Sequence, residues 1–415
     1  MKLDICYGTK KLSLEVPRNT IDILSLPQPE QKNEKEIIIS AIKNANISLD
    51  QFIGASRSVT IVVSDQTRNT GSTIYIPIIL EMLKQKDVAV SIIIAHGLHR
   101  PATHEELQKI IGTSLNQSIK VINKNPESNL KNYSSGTFST AVVDAERIIL
   151  TGSVTFHPMA GYSGGWKSIL PGVASKQSII QNHQLYFSGN NTHPGVGPAQ
   201  ISNNPVLQDI IAKTKVFNEK TWCLNVVQDE SKKIIHAAAG KTDVAWESCV
   251  SYLNKNNTIP ITRKYPIVIA SAGGYPSDFS FYQSMKTLTN ASKACESGGK
   301  ILLFMECRNG WELSKDIRSL ASMDIQEIAK QVQNNFTIRG LATYMAQSII
   351  KKYDVYCYSL LPSSEVKHFG MNPIISIKSI IKFLEFNNNF DIAFMPAASS
   401  VLPIFSKRDD SRGVR

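Results

Sequence analysis

The sequence predicts an α/β protein: two α/β domains with largely parallel sheets and a cleft between them. Three observations predict it. Apolar runs of strand length alternate with amphipathic stretches along the 415-residue chain, and such alternation builds parallel sheets covered by helices. A polar stretch, LNKNNTIPITRKYP (253–266), interrupts the order, and a second α/β series begins after it. The side chains able to do chemistry crowd at the carboxyl ends of the predicted strands, where open α/β sheets bind ligands.

Taken in order, MKLDICYGTKKLSLEV alternates like a strand. SVTIVVSD (58–65) reads as a strand, IYIPIILEMLKQK as a helix and VAVSIIIAHG (88–97) as the next strand. Thr103 and Glu106 form a capping box that opens the helix THEELQKIIG. RIILTGSV, the helix-like KQSIIQNHQLYF and the strand TWCLNVVQD follow. The second series comprises IVIASAGG, a helix near 280–298, KILLFME, a helix near 338–352, VYCYSL, SIIKFLEF and IAFMPA. The boundary falls near residue 262, giving an N-terminal domain 1–262 and a C-terminal domain 263–415 that closes the cleft. The tail SKRDDSRGVR has no apolar anchor and is expected to fray.

Composition narrows the function. The longest apolar runs (SIIIA, RIILTG, KILLFM) are too short to cross a bilayer, and the N-terminus lacks a signal peptide's apolar core, so a cytoplasmic protein is expected. The six cysteines lie far apart with no CxxC pair, which argues against a zinc ribbon or a disulfide framework. The formal charge of +11 is dispersed, and no RRM, KH or zinc-finger signature accompanies it. That excludes nucleic-acid binding as the expectation and leaves a basic site for anionic small molecules.

Four strand exits carry the candidate residues. SVTIVVSD runs into Asp65-Gln66-Thr67-Arg68; VAVSIIIAHG runs into His96, Gly97, His99 and Arg100. RIILTGSVTF runs into His157 and a glycine loop ending in Lys167, with His183 on the following helix. IVIASAGG runs into Tyr275-Pro276-Ser277-Asp278, then Tyr282, Gln283 and Lys286. Each has a plain structural reading as well. An isolated histidine is more often a hydrogen-bonded structural residue than a catalyst, and three at neighbouring exits change that balance. Asp65 and Arg68 can form a loop ion pair, or Arg68 can clamp a carboxylate or phosphate. Gln283 and Lys286 share a helix face, either solvated or, after the GGYPSD turn, at a helix N-terminus where anions bind.

Lys167 sits in FHPMAGYSGGWKSILPG, close to a phosphate-binding loop. Gly161 opens the spacing and Lys167-Ser168 close it, but Trp166 stands where the last glycine must let backbone N–H groups turn toward a phosphate. Three readings stay open for this lysine: a solvated loop residue, a degenerate nucleotide-binding loop, or an amine that holds a cofactor covalently.

Together, SDQTR, AHGLHRPATHEEL, HPMAGYSGGWKSILPG with the following QNH, GGYPSDFSFYQSMK and FMPAASSVLP resemble the lactate racemase family, nickel-dependent 2-hydroxyacid racemases and epimerases. The resemblance spans both domains in order. It implies a covalently bound nickel-pincer nucleotide, a pyridinium mononucleotide that grips nickel through two sulfur-bearing arms and a ring carbon. It implies Lys167 as the tether, His183 as a nickel ligand, and His99 and His157 as acid/base groups. Asp65 and Arg68 match family residues expected toward the cofactor, Arg68, Gln283 and Lys286 match residues expected toward substrate carboxylate or cofactor phosphate, and Tyr282, just before Gln283, is expected to wall the same substrate pocket. The implied partners are a small 2-hydroxy acid and the enzymes that make the cofactor. The alternatives are a nucleotide-binding enzyme with a degenerate phosphate loop, and a basic binding protein without enzymatic activity.

Overall fold

The computed structural model describes residues 1–16, 21–27, 32–112, 119–123, 127–312, 320–387 and 389–405, so the tail 406–415 lies outside the described residues. The chain divides into two compact units. One comprises residues 28–188 with 192–255; the other comprises residues 1–27, 189–191 and 256–415.

The first unit is built on a six-stranded sheet. Its order is Ile234–Gly240, Thr221–Gln228, Arg147–Ser153, Ser58–Ser64, Ala89–Ala95, Lys120–Ile122. The pairs are parallel except at the Ile234–Gly240 edge, which runs antiparallel to its neighbour. Central strands buried on both faces read as continuous apolar runs rather than alternations, and Val59, Ile61, Val62 and Val63 are all buried. Helices Glu34–Lys43 and Ser72–Lys84 supply Ile38, Ile42, Tyr75, Ile76 and Ile79 to the same core. The capping box opens helix His104–Ile111 as expected: the Thr103 hydroxyl accepts from the Glu106 N–H, and the Glu106 carboxylate accepts from the Thr103 N–H.

The chain passes from Ser58–Ser64 to Ala89–Ala95 on one side, then crosses to Arg147–Ser153 on the other. That reversal is a topological switch point, where strands of this kind leave a crevice at their carboxyl ends. Asp65, His99 and the glycine loop leave from these three strands.

The second unit holds a six-stranded sheet in the order Asn372–Pro373, Asp354–Tyr358, Cys295–Phe304, Tyr265–Ser271, Ile392–Met395, Asp22–Ile23, parallel throughout. The N-terminal strand signal becomes a hairpin, Lys2–Tyr7 with Lys10–Glu15, whose Leu3, Ile5 and Leu14 face the core. The hairpin turns at Gly8 with φ +55°; a side chain there would run into the Glu306 carboxylate, and its N–H donates to Asp278 at 2.6 Å. SIIKFLEF lies within helix Ile377–Phe386. The polar stretch from 253 divides between the end of an unforeseen helix, Thr242–Asn257, and the strand Thr258–Ile261, paired in parallel with Leu402–Phe405.

Candidate active site

Asp65 follows strand Ser58–Ser64 and is 2% exposed. A carboxylate this deep needs partners, and it has them. One oxygen accepts from the Thr67 N–H at 3.2 Å and the Thr67 hydroxyl at 2.7 Å; the other lies 2.6 Å from His99 Nδ1. Burial alone would raise this carboxyl, but His99, Thr67 and the charge of Arg68 outweigh it and hold it below the usual range. Asp65 is therefore an anion at neutral pH. It spends its carboxylate on His99 and Thr67, while the exposed Arg68 donates only its backbone N–H to the Asp65 carbonyl, at 3.1 Å.

His99 is two-thirds buried. It is placed by a tight turn in which Gly97, at φ +57°, donates to Gly172 and the His99 N–H donates to the His96 carbonyl. His96 is buried; its Nε2 lies 2.8 Å from Asn123 Oδ1, and burial holds it below the usual histidine range. His104 lies exposed on its helix.

The glycine loop is shaped by its neighbours' side chains. Gly164 and Gly165 have φ of +80° and +54°; side chains there would meet Val154 and Asn225, and Trp246, at under 3.0 Å. Asn225 Oδ1 accepts from the Gly165 N–H at 2.9 Å. Residues Gly165–Ser168 form one 3-10 turn. Trp166 is buried, its indole N–H donating to Asn218 and its ring 5.5 Å from that of Trp246. The indole thus anchors the loop in the core, at the position where a phosphate-binding loop carries glycine.

The Lys167 amine is pushed down to about 7, first by burial and then by the charge of Arg68. His183, on helix Lys176–Gln184, is pushed down to about 3 by burial and by the charge of Lys167, against a backbone hydrogen bond with Ile179. At neutral pH the chain thus offers a partly neutral amine and, within reach of its charge, a neutral imidazole. A desolvated amine beside a cation is the lysine type that forms covalent bonds to cofactors, and a neutral imidazole is a metal ligand. Among the described residues no three His, Cys, Asp or Glu side chains converge to hold a metal ion by themselves. His157 ends the short strand Phe156–His157; its Nδ1 accepts from the N–H groups of Met159 at 3.2 Å and Ala160 at 3.1 Å.

In the second unit, helix Phe281–Ala294 opens at Ser280, whose hydroxyl accepts from the Gln283 N–H at 3.2 Å and donates to Glu312 at 2.7 Å. Tyr282, Gln283 and Lys286 are half-buried in its first turns, as the spacing predicts. Sequence reasoning did not single out Asn225, a polar residue inside an apolar strand, nor Asn204, fully buried and bonded to the Met159 carbonyl at 2.8 Å. A buried asparagine inside or beside a core element is the signal that finds both.

With this geometry in hand, comparison with known proteins is decisive. Residues 7–195 match the lactate racemase N-terminal domain and residues 262–398 the lactate racemase C-terminal domain. The chain is 30% identical over 424 residues to a lactate racemase of Thermoanaerobacterium thermosaccharolyticum, covering 96% of this chain and 98% of that protein. It belongs to the lactate racemase family. It is accordingly an isomerase, a racemase, which removes the binding-protein alternative. A lactate racemase of Lactiplantibacillus plantarum is 29% identical over 304 residues, 70% of each chain. The lactate racemase apoprotein of T. thermosaccharolyticum superposes with a TM-score of 0.86 at 28% identity, over 97% of this chain and 100% of that one. A Thermotoga maritima protein shares the racemase fold at a TM-score of 0.65 and 16% identity, over 90% of this chain and 98% of that one. Among the described residues no helix is long and apolar enough to cross a membrane, and all six cysteines are unbridged.

Proposed function

We propose that this racemase inverts the hydroxyl-bearing carbon of lactate or a related 2-hydroxy acid, in the cytoplasm, with a nickel-pincer nucleotide tethered to Lys167. The observation that carries the reading is the placement of Lys167 in the glycine turn Gly165–Ser168 with the buried His183 within reach of its charge, in a chain of the lactate racemase family. The donor set fits the group: Lys167 would hold it covalently and the neutral His183 would ligate its nickel, imidazole suiting divalent nickel. When bound, the nucleotide supplies an electron sink for the hydride of the substrate's α-carbon.

The remaining work falls to the chain's own side chains. The hydroxyl proton must leave as the carbon becomes planar and return when it is rebuilt, so acid/base groups are needed on two sides; these roles go to His99 and His157. Asp65 compensates the charge His99 gains on taking a proton. Arg68, Tyr282, Gln283 and Lys286 bind substrate carboxylate and hydroxyl or cofactor phosphate, the cations by charge-assisted hydrogen bonds. Cofactor-making enzymes are the required partners.

The test is racemisation of single-enantiomer lactate, and of other 2-hydroxy acids, by protein co-produced with the cofactor-making enzymes and followed by chiral chromatography. Conversion of one enantiomer toward the racemate is expected. Unchanged optical purity with every 2-hydroxy acid, in protein shown by mass to carry the adduct, would refute the reading.

A further inference from the structure

The two histidines given acid/base roles are held by opposite chemistry. His99 Nδ1 faces the ionised Asp65 at 2.6 Å. An anion accepts only, so His99 keeps a proton on Nδ1 and presents Nε2 as a lone pair. His157 Nδ1 instead faces two donors, the N–H groups of Met159 and Ala160 at 3.2 and 3.1 Å. Nδ1 is then the lone pair, and the proton of the neutral ring sits on Nε2.

Neither arrangement is free to turn over. Asp65 is pinned by both donors of Thr67 on its other oxygen. The amide that carries the Ala160 N–H is pinned through its carbonyl, that of Met159, which accepts from the buried Asn204 at 2.8 Å. Turning this amide away breaks that hydrogen bond in a buried segment.

We infer that the two histidines enter the reaction in opposite tautomers, so that His99 presents a lone pair to the substrate, ready to take a proton, and His157 presents a hydrogen-bond donor. The catalytic meaning rests on the racemase reading; the tautomers themselves do not. A substrate hydroxyl that meets His99 gives its proton to Nε2, the O–H electron pair staying on oxygen, with no prior rearrangement. A hydroxyl that meets His157 finds an N–H, and His157 becomes a base only after its Nε2 proton is lost and Nδ1 is protonated against two amides. Asp65 is thereby a positioning residue, acting through His99. The enzyme is symmetric in outcome, as a racemase must be, and asymmetric in its resting proton inventory.

Apoprotein labelled with ¹⁵N in the histidine rings tests this without cofactor. His99→Gln and His157→Gln assign the two resonances, recorded at a pH where both rings are neutral. The expected result is Nδ1–H at His99 and Nε2–H at His157. The same tautomer in both rings, or the reverse pair, overturns the inference. Asp65→Asn supplies a second arm. The two Thr67 donors will hold the new amide oxygen and leave its NH₂ facing His99, so His99 flips to Nε2–H while His157 stays as it was. A fold defect alone does not produce that selective flip, and a His99 tautomer unmoved by Asp65→Asn contradicts the positioning role. In loaded enzyme, single-turnover hydride removal from the two enantiomers should differ by roughly 10- to 100-fold, the cost of two lost hydrogen bonds. Equal rates with the tautomers as assigned would overturn their catalytic meaning, and no turnover with any 2-hydroxy acid would count against the racemase reading instead.

Discussion

Two places on one sheet set the charge of their key groups in contrary ways. At the exit of Ser58–Ser64, Asp65 is buried and still ionised, because His99 and two Thr67 donors replace the water it lost. Around the glycine loop, Lys167 is desolvated near the charge of Arg68 and His183 is desolvated near the charge of Lys167, and both are driven toward neutrality. On the proposed reading the two places serve different ends. A buried carboxylate kept charged by partners supports a neighbouring histidine that takes a proton, while a desolvated base driven toward neutrality can form a bond to carbon or metal.

The largest way to break the comparison is at Lys167. Lys167→Ala should abolish both the covalent nucleotide adduct and racemase activity while leaving circular dichroism unchanged; full activity without the amine would remove the tether. His183→Ala should weaken nickel retention about tenfold or more while leaving the adduct on Lys167, read as nickel per adduct by metal analysis. Unchanged stoichiometry would mean that another group ligates the metal.

A smaller effect sharpens the claim that burial and Arg68 set the amine. In apoprotein, reaction of Lys167 with an amine-directed acylating reagent should rise with a midpoint near pH 7, followed by peptide mass analysis. Arg68→Gln should move that midpoint upward, since a neighbouring positive charge is removed; an unmoved or lowered midpoint would contradict the assignment. The smallest effect is on stability. The folded amine at about 7 lies below its unfolded value of 10.5, so the unfolded state binds the proton more tightly between them. Apoprotein therefore gains stability from this group as pH rises from 7 toward 10.5 and lacks that gain below 7. Lys167→Met should raise the melting temperature of apoprotein most at pH 6, with the advantage shrinking above pH 7.

How far all this could be read from the sequence depended on distance along the chain. The runs SVTIVVS, AVSIIIA and RIILTGS gave strands because burial on both faces leaves a local apolar signature. The helix N-terminus holding Gln283 and Lys286 was legible for another local reason, the GGYPSD turn before it; the Ser280 cap itself was not read. Trp166 announced that the phosphate-loop spacing fails, though not that it packs on Trp246. Pairings between distant residues left no such mark. Asp65 stands beside Arg68 in sequence and was read with it, yet its carboxylate goes to His99 on another strand exit. Asp22–Ile23 joins the sheet edge at Ile392–Met395, a partnership that no periodicity encodes.

The account turns most directly on the chemical state of one side chain. Protein co-produced with the cofactor-making enzymes should be digested and its peptides weighed, with nickel measured on the same preparation. The expected result is a nucleotide-sized adduct on the peptide carrying Lys167, present only in preparations that racemise. A preparation that racemises a 2-hydroxy acid with Lys167 unmodified would contradict it.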